Sequence, residues 1–436
     1  MNVQRLHIKV KDINQKSCEI SLNASKSLLS RDLIIRSILR LPADPDSDNN
    51  ECVDIEVLKQ ACKTLRVREG RSAQGGSEDT IHIYIHQSGT AMRLMTALLA
   101  ISEGTFVLQG DPQVQRRPIA PLVSALRDIG ADITYIEADG HLPLKIRGQK
   151  LRSRGIIDTT GWESSQYVSA LLLIAPKVEG GLSLRRQKKE GSTPYISLTM
   201  ARMSAYGVPV EWQEDILTVY PQDYKEIPDK AVELDWSGAG YWYSFLCLHP
   251  TLPSIRLPGL FLSDSLQGDK VVASLFKPLG IDTIEDEDGI RIVKTAPQAV
   301  PQTASIDLSH HPDLFPTLAV TYAMLGMPMH FTGLESLSLK ESNRFESVSA
   351  GLKALGFSDG VSHDRSTFTY EGTPRNTTNQ PTLIDSHDDH RIAMSFAVAG
   401  AVLSKGIYIN NTDCVSKSYP KFWNELSKVA DITPSH

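Results

Sequence analysis

Ser124-Ala125-Leu126-Arg127-Asp128-Ile129-Gly130 runs directly into Ala131-Asp132-Ile133-Thr134-Tyr135, a helical stretch stopped by glycine and followed at once by a strand pattern. Glycine is expected at such a stop because a helix commonly closes on a left-handed residue, a conformation that only glycine adopts without strain. The same junction recurs at 201–207 followed by Val208-Pro209-Val210-Glu211, at 273–280 followed by Ile281-Asp282-Thr283-Ile284, and at 351–356. The terminating glycines stand at 130, 207, 280 and 356, with intervals of 77, 73 and 76, which points to duplicated units.

Working outward, a second series has the same period. Small or polar residues open an apolar helix at Lys26-Ser27, Gly89-Thr90, Ser164-Ser165, Trp236-Ser237, Pro312-Asp313 and Asp389-His390. Six units fill the chain, each reading as strand, helix, strand, helix, strand, for example 105–108, 118–130 and 132–136. Three units build one domain and six build two, and the polar, proline-bearing stretch 221–229 is the expected crossover. On the period alone, an ordinary α/β protein with recurrent helix–glycine–strand junctions is the other reading.

The 436 residues are 41% hydrophobic and 22% charged, with a net charge of −6, so no global positive field would hold nucleic acid or an anionic membrane. An anionic ligand therefore needs a local basic cluster. Cys18, Cys52, Cys62, Cys247 and Cys414 are scattered without a C-x-x-C pair, which argues against a disulfide framework or a zinc site. The first 18 residues are interrupted by Lys9, Lys11, Asp12 and Lys16, so no signal-peptide core is present, and no stretch offers the roughly 20 apolar residues of a membrane span. A soluble cytoplasmic protein is expected.

Basic residues gather at the predicted helix starts: Lys26 and Arg31, Arg93, Arg117 before Pro118-Ile119, Arg344, Arg391, and Lys417 before Tyr419-Pro420. Free N–H groups and the positive end of the helix dipole, joined by Lys or Arg, make a site for phosphate or carboxylate. Any one of these residues alone reads as a solvated surface cation; their recurrence is the signal. Asp313 and Glu341 lie among them, as ion-pair partners or as acid–base groups. The crowded His387-Asp388-Asp389-His390 matches no common metal spacing. Ser164-Ser165-Gln166 lacks a nucleophile-elbow pattern and reads instead as neutral donors and acceptors for a polyol or phosphate.

Taken in order, Ser25-Lys26-Ser27 with Arg31, Gly89-Thr90-Ala91-Met92-Arg93, Arg117-Pro118-Ile119, Ser164-Ser165-Gln166, Ser192-Thr193-Pro194-Tyr195, Pro312-Asp313, Lys340-Glu341 with Arg344, Asp389-His390-Arg391 and Ser416-Lys417 resemble the EPSP synthase family. The resemblance implies a two-domain inside-out α/β barrel of six β-α-β-α-β-β units, three per domain, with helices inside and sheets outside. It places the first domain at 23–228 and the second at 1–22 plus 229–436, with the active site in the cleft between them.

The resemblance also implies residue roles. Shikimate 3-phosphate would be held by Lys26, Ser27, Arg31, Ser164, Ser165, Gln166, Ser192, Asp313 and Lys340. Phosphoenolpyruvate would be held by Lys26, Gly89, Arg117, Gln166, Arg344, Arg391 and Lys417. Asp313 would accept the substrate hydroxyl proton, and Glu341 would deliver and recover a proton at C3, with Lys26 adjacent to both. No metal or organic cofactor is implied, and a monomer is expected.

Gln87, Ser88 and Leu94 stand where the family usually has Asn, Ala and Pro, Asn343 replaces an Asp, and Ser336 replaces an Asn. The first three lead to an expectation of weakened inhibition by glyphosate, which in the family occupies the phosphoenolpyruvate site. Two rival readings are a UDP-N-acetylglucosamine enolpyruvyl transferase and a non-catalytic ligand-binding descendant. The first is disfavoured because 111–116 contains no cysteine, the second because Lys26, Asp313, Glu341, Arg344 and Arg391 all persist.

Overall fold

The computed structural model describes residues 5–12, 17–42, 52–72, 80–228, 232–297, 304–357, 361–372, 375 and 380–435. Met1, Lys16 and Asp229, which entered the reading of the N-terminal stretch and of the crossover, lie outside them. The chain divides into two compact units, Lys26–Val232 and Met1–Ser25 with Glu233–His436.

The predicted junctions have a direct backbone counterpart. Gly130, Gly207, Gly280 and Gly356 all have positive φ, between 82° and 103°. They follow the helices Ala120–Asp128, Thr193–Ala205, Val272–Phe276 and Arg344–Ala354. The second series also corresponds to element starts, since helices begin at Lys26, Gly89, Ser165, Trp236 and His390, and a short 3-10 turn Pro312–Leu314 leads into Phe315–Met324.

Where the period suggested three strands per unit, the structure has four. In the Lys26–Val232 unit, Ile81–Tyr84 and Gly104–Gln109 pair in parallel across the Gly89–Ile101 helix, and Leu144–Gly148 and Asp132–Tyr135 add in antiparallel fashion. The added strand closes a short hairpin of strongly alternating burial, a local signal too brief to separate from the strand beside it. Four further sheets repeat this order, one parallel pair followed by two antiparallel neighbours. Two of them are completed by the N-terminal segment: Arg5–Val10 pairs with both Ile407–Ile409 and Ala430–Ser435, and Cys18–Glu19 pairs with Ser254–Pro258. The first sequence repeat is represented among the described residues by the helices Lys26–Ile38 and Val53–Ser72, without a four-stranded sheet of its own.

Each unit places its most apolar helices innermost. In one unit Gly89–Ile101 and Ser165–Ile174 pack on each other, and every residue of Ser165–Ile174 except Gln166 is buried. In the other, Trp236–Leu248, Phe315–Met324 and His390–Gly400 pack together, and all of His390–Gly400 is buried. A helix apolar on every side requires such a location. The strands bury alternate residues, as expected of sheets with one face on the core and the other in water. The polar starts of the central helices are therefore the main places where charged side chains reach inward.

Candidate functional site

In the Lys26–Val232 unit the predicted residues sit at the starts of neighbouring central helices. Lys26 opens its helix and points its Nζ at Asp54 Oδ2, 3.0 Å away, and Asp54 is only 6% exposed. Asp54 was not singled out from the sequence, although it too lies in the first turn of a helix, Val53–Ser72. A carboxylate there fixes the Lys26 ammonium in direction, which two residues 28 apart in sequence do not announce.

Gly89, the first residue of its helix, has no room for a side chain. A Cβ there would lie 2.6 Å from Arg117 Cζ and 2.8 Å from Arg93 Nη1, so the missing side chain is what admits two guanidinium groups. Arg93 Nη1 donates to Gly89 O at 2.9 Å and to Gln166 Oε1 at 3.0 Å, while its guanidinium stacks over the Tyr167 ring. Gln166 Nε2 in turn donates to Thr90 Oγ1 at 3.2 Å. Arg93, counted among the basic helix-start residues but given no ligand, thus orients the amide of Gln166. Ser88 caps this helix, its Oγ accepting from Ala91 N, and Leu94 is buried in the core.

Ser164 caps the helix that begins at Ser165, accepting from Gln166 N at 3.3 Å. Ser192 precedes the Thr193–Ala205 helix with φ +60°, and its hydroxyl makes no cap bond. Arg31 is deeper than a surface-cation reading would put it. It donates to Thr199 Oγ1, Ser27 O, Ser169 Oγ and Tyr195 O at 2.6–3.3 Å, and burial pulls its pKa down to about 10. Those bonds use four of its five N–H groups and make it a strut between helices with one donor remaining.

The second set, in the other unit, is a closed network of charges. Asp313 lies 2.8 Å from Arg344 Nη1, 3.0 Å from Arg391 Nη2 and 3.1 Å from Lys340 Nζ. Glu341 meets Arg344 Nη2 at 2.9 Å with one oxygen and Lys417 Nζ at 3.3 Å with the other. Arg344, 1% exposed, also places Nε 2.8 Å from Asp389 Oδ2. Asp389 is itself fully buried and caps the His390–Gly400 helix through Arg391 N. The sequence marked Asp389 as part of a helix start and of a family motif but not as an ion-pair partner; here it anchors the most buried arginine of the network.

Lys417 departs from the helix-start expectation. It is the last residue of the 3-10 turn Thr412–Lys417, and it is buried through its ion pair with Glu341 rather than through any helix N-terminus. Burial pushes the Asp313 carboxyl up, but Arg391, Lys340 and Arg344 outweigh it and hold the group well below the usual carboxylate range. Lys340 is lowered by burial, against the pull of Asp313. Four cations thus face three carboxylates in a largely buried setting. An incoming phosphate or carboxylate can exchange with the internal carboxylates for the same N–H donors. Among the described residues, no group of three or more His, Cys, Asp or Glu side chains is gathered to hold a metal ion, and no helix is long and apolar enough to cross a membrane.

Similarity to known proteins extends over nearly the whole chain. Residues 10–426 match the family model described as EPSP synthase (3-phosphoshikimate 1-carboxyvinyltransferase). A 3-phosphoshikimate 1-carboxyvinyltransferase of Bacteroides fragilis is 38% identical over 418 residues, covering 95% of this chain and 96% of the relative. One of Methanosphaerula palustris is 36% identical, covering 79% and 78%. Among solved structures, an EPSP synthase from Acinetobacter baumannii superposes with a TM-score of 0.72 at 21% identity, over 99% of this chain and 100% of that one. The enolpyruvyl transferase NikO from Streptomyces tendae gives 0.69 at 15% identity, over the whole of both chains. These two likenesses concern the fold.

Proposed function

The chain belongs to the EPSP synthase (3-phosphoshikimate 1-carboxyvinyltransferase) family, and from that membership we propose that it transfers the enolpyruvyl group of phosphoenolpyruvate to the 5-hydroxyl of shikimate 3-phosphate and releases phosphate. Shikimate 3-phosphate is assigned to Lys26, Ser27, Arg31, Ser164, Ser165, Gln166, Ser192, Asp313 and Lys340. Phosphoenolpyruvate is assigned to Lys26, Gly89, Arg117, Gln166, Arg344, Arg391 and Lys417. The observation that best supports an anion site among Lys340, Arg344, Arg391 and Lys417 is the pairing of Asp313 with three cations and of Glu341 with two; the other assignments follow from the family motifs.

The 5-hydroxyl oxygen attacks C2 of phosphoenolpyruvate, Asp313 takes the hydroxyl proton, and C3 receives a proton from Glu341, which must first take one up from water as bound substrate draws Arg344 and Lys417 away from it. The tetrahedral intermediate then returns the C3 proton to Glu341 as the C–O bond to phosphate breaks. With Arg344, Arg391 and Lys340 around it, Asp313 is a weak base. Substrate anions that draw those cations away strengthen it at the moment a base is required. The same cations meet the charge of the departing phosphate, where preorganised donors act most strongly.

The protein is read as a cytoplasmic monomer that binds neither nucleic acid nor membrane, a reading supported by its net charge of −6. The test of the whole assignment is phosphate release from phosphoenolpyruvate with shikimate 3-phosphate or UDP-N-acetylglucosamine as acceptor. Turnover with the first acceptor alone is expected. No release with either would leave only a ligand-binding role.

Gly89→Ala examines the phosphoenolpyruvate assignment. The added methyl must displace Arg117 or Arg93. Overpacking of about 1–3 kcal/mol corresponds to a KM for phosphoenolpyruvate raised roughly 5- to 150-fold, with shikimate 3-phosphate much less affected. Steady-state kinetics with each substrate varied decides it, and an unchanged KM for phosphoenolpyruvate would remove Gly89 and Arg117 from that site.

A further inference from the structure

We infer that Arg186 and Glu190 form a positioning pair that sets the spacing between the Ser164-Ser165 helix start and Ser192, and through that spacing the affinity for the phosphate of shikimate 3-phosphate. This rests on the assignment of those serines above. Neither Arg186 nor Glu190 belongs to the proposed binding set, and both stand in the loop that joins strand Leu182–Arg185 to the Thr193–Ala205 helix.

Arg186 is 1% exposed and acts as a clamp on two chain segments. Its Nη1 donates to Thr159 O at 3.3 Å and to Trp162 O at 3.5 Å, in the segment that leads into Ser164. Its Nη2 donates to Gly191 O at 2.9 Å, immediately before Ser192. Glu190 completes the tie from the other side. One carboxylate oxygen accepts from Gln187 N at 2.9 Å; the other accepts from Gly161 N at 3.0 Å and lies 3.1 Å from Arg186 Nη1. A single buried ion pair therefore joins 159–162 to 187–191, the two loops that end at the proposed phosphate-binding hydroxyls.

Ser192 gives this clamp its functional reading. A non-glycine residue at φ +60° persists only where its surroundings determine it. Here Thr193 Oγ1 donates to Lys188 O and Glu190 O, which pins the same turn from the helix side. The Ser192 hydroxyl is left out of helix capping, and Ser165 is the first residue of its own helix. A phosphate monoester bridging hydroxyls from two loops is sensitive to their separation on the scale of a fraction of an ångström. Arginine is required for the clamp because its planar fork reaches several carbonyls at once, which a lysine ammonium cannot do.

Glu190→Gln keeps the volume but cannot accept two N–H groups while facing a guanidinium. Kinetics with each substrate varied, together with thermal unfolding, should show the KM for shikimate 3-phosphate raised about 10- to 100-fold, with kcat and the KM for phosphoenolpyruvate within about twofold. Glu190→Asp, which retains the charge, should recover part of that loss. If Glu190→Gln does not fold, Arg186→Lys is read in the same way and should give the same split. A folded variant with an unchanged KM for shikimate 3-phosphate, or with both KM values and the Tm shifted together, overturns the inference while the function stands. Absence of turnover in the unsubstituted chain overturns the functional reading itself.

Discussion

Asp389→Asn is expected to destabilise the Glu233–His436 part of the molecule by about 3–5 kcal/mol, because it breaks the most deeply buried of the ion pairs that Arg344 makes. Asparagine is chosen because it still accepts a hydrogen bond at a helix N-terminus, so the cap to Arg391 N can survive and the measurement isolates the charge. Arg344 would keep Asp313 and Glu341, but both are more exposed than Asp389. Asp389 receives two bonds from the guanidinium, one from Nε and one from Nη2. Denaturant unfolding followed by near-ultraviolet circular dichroism provides the check. A loss below about 1 kcal/mol, the size expected of an exposed pair, would mean that Arg344 is held by its other partners.

Glu341→Gln should lower kcat by about 10²- to 10⁴-fold, the range associated with a positioned proton-transfer group, while the two KM values change far less. The amide oxygen can still accept from Arg344 or from Lys417, though not from both through separate oxygens, so the anion-binding cluster keeps part of its geometry. It cannot exchange a proton with C3. Asp313→Ala should lose turnover comparably, but for a mixed reason: three cations lose a shared partner, so tighter binding of anions accompanies the lost base. Solvent deuterium incorporation at C3 during turnover separates the two roles, since it should vanish in Glu341→Gln. Near-normal kcat in that variant would assign the proton transfer elsewhere.

The framework was readable in the sequence because its signals are local. A glycine such as Gly207 closes a helix by its own backbone freedom, and a small or polar pair such as Ser164-Ser165 opens one by its own hydrogen bonding. Cations at helix starts were readable for the same reason. Two of their partners were not. Asp54 meets Lys26 from 28 residues away, and Asp389 meets Arg344 from 45 away, so only tertiary packing brings each pair together. Lys417 was found by position in a motif but for the wrong local reason, because a 3-10 turn gives no periodic pattern to distinguish it from a helix start. Glu190 lies among Lys188 and Lys189 in an irregular loop and reads as surface charge until Arg186 is seen beneath it.

The strand Arg5–Val10 lies between Ile407–Ile409 and Ala430–Ser435, hydrogen-bonded to both. During synthesis, at about 5–20 residues per second, it leaves the ribosome roughly 20–85 s before Ala430–Ser435 does. Residues 26–232, contiguous in the chain, can gather their own core during that wait. The early strand cannot, and Leu6 and Ile8 remain on an unpaired edge for the interval, open to pairing with a second nascent chain. The interval in which this protein is most exposed to misassembly is therefore set by the separation of two strands along the messenger, and a slow codon near residue 400 would lengthen it.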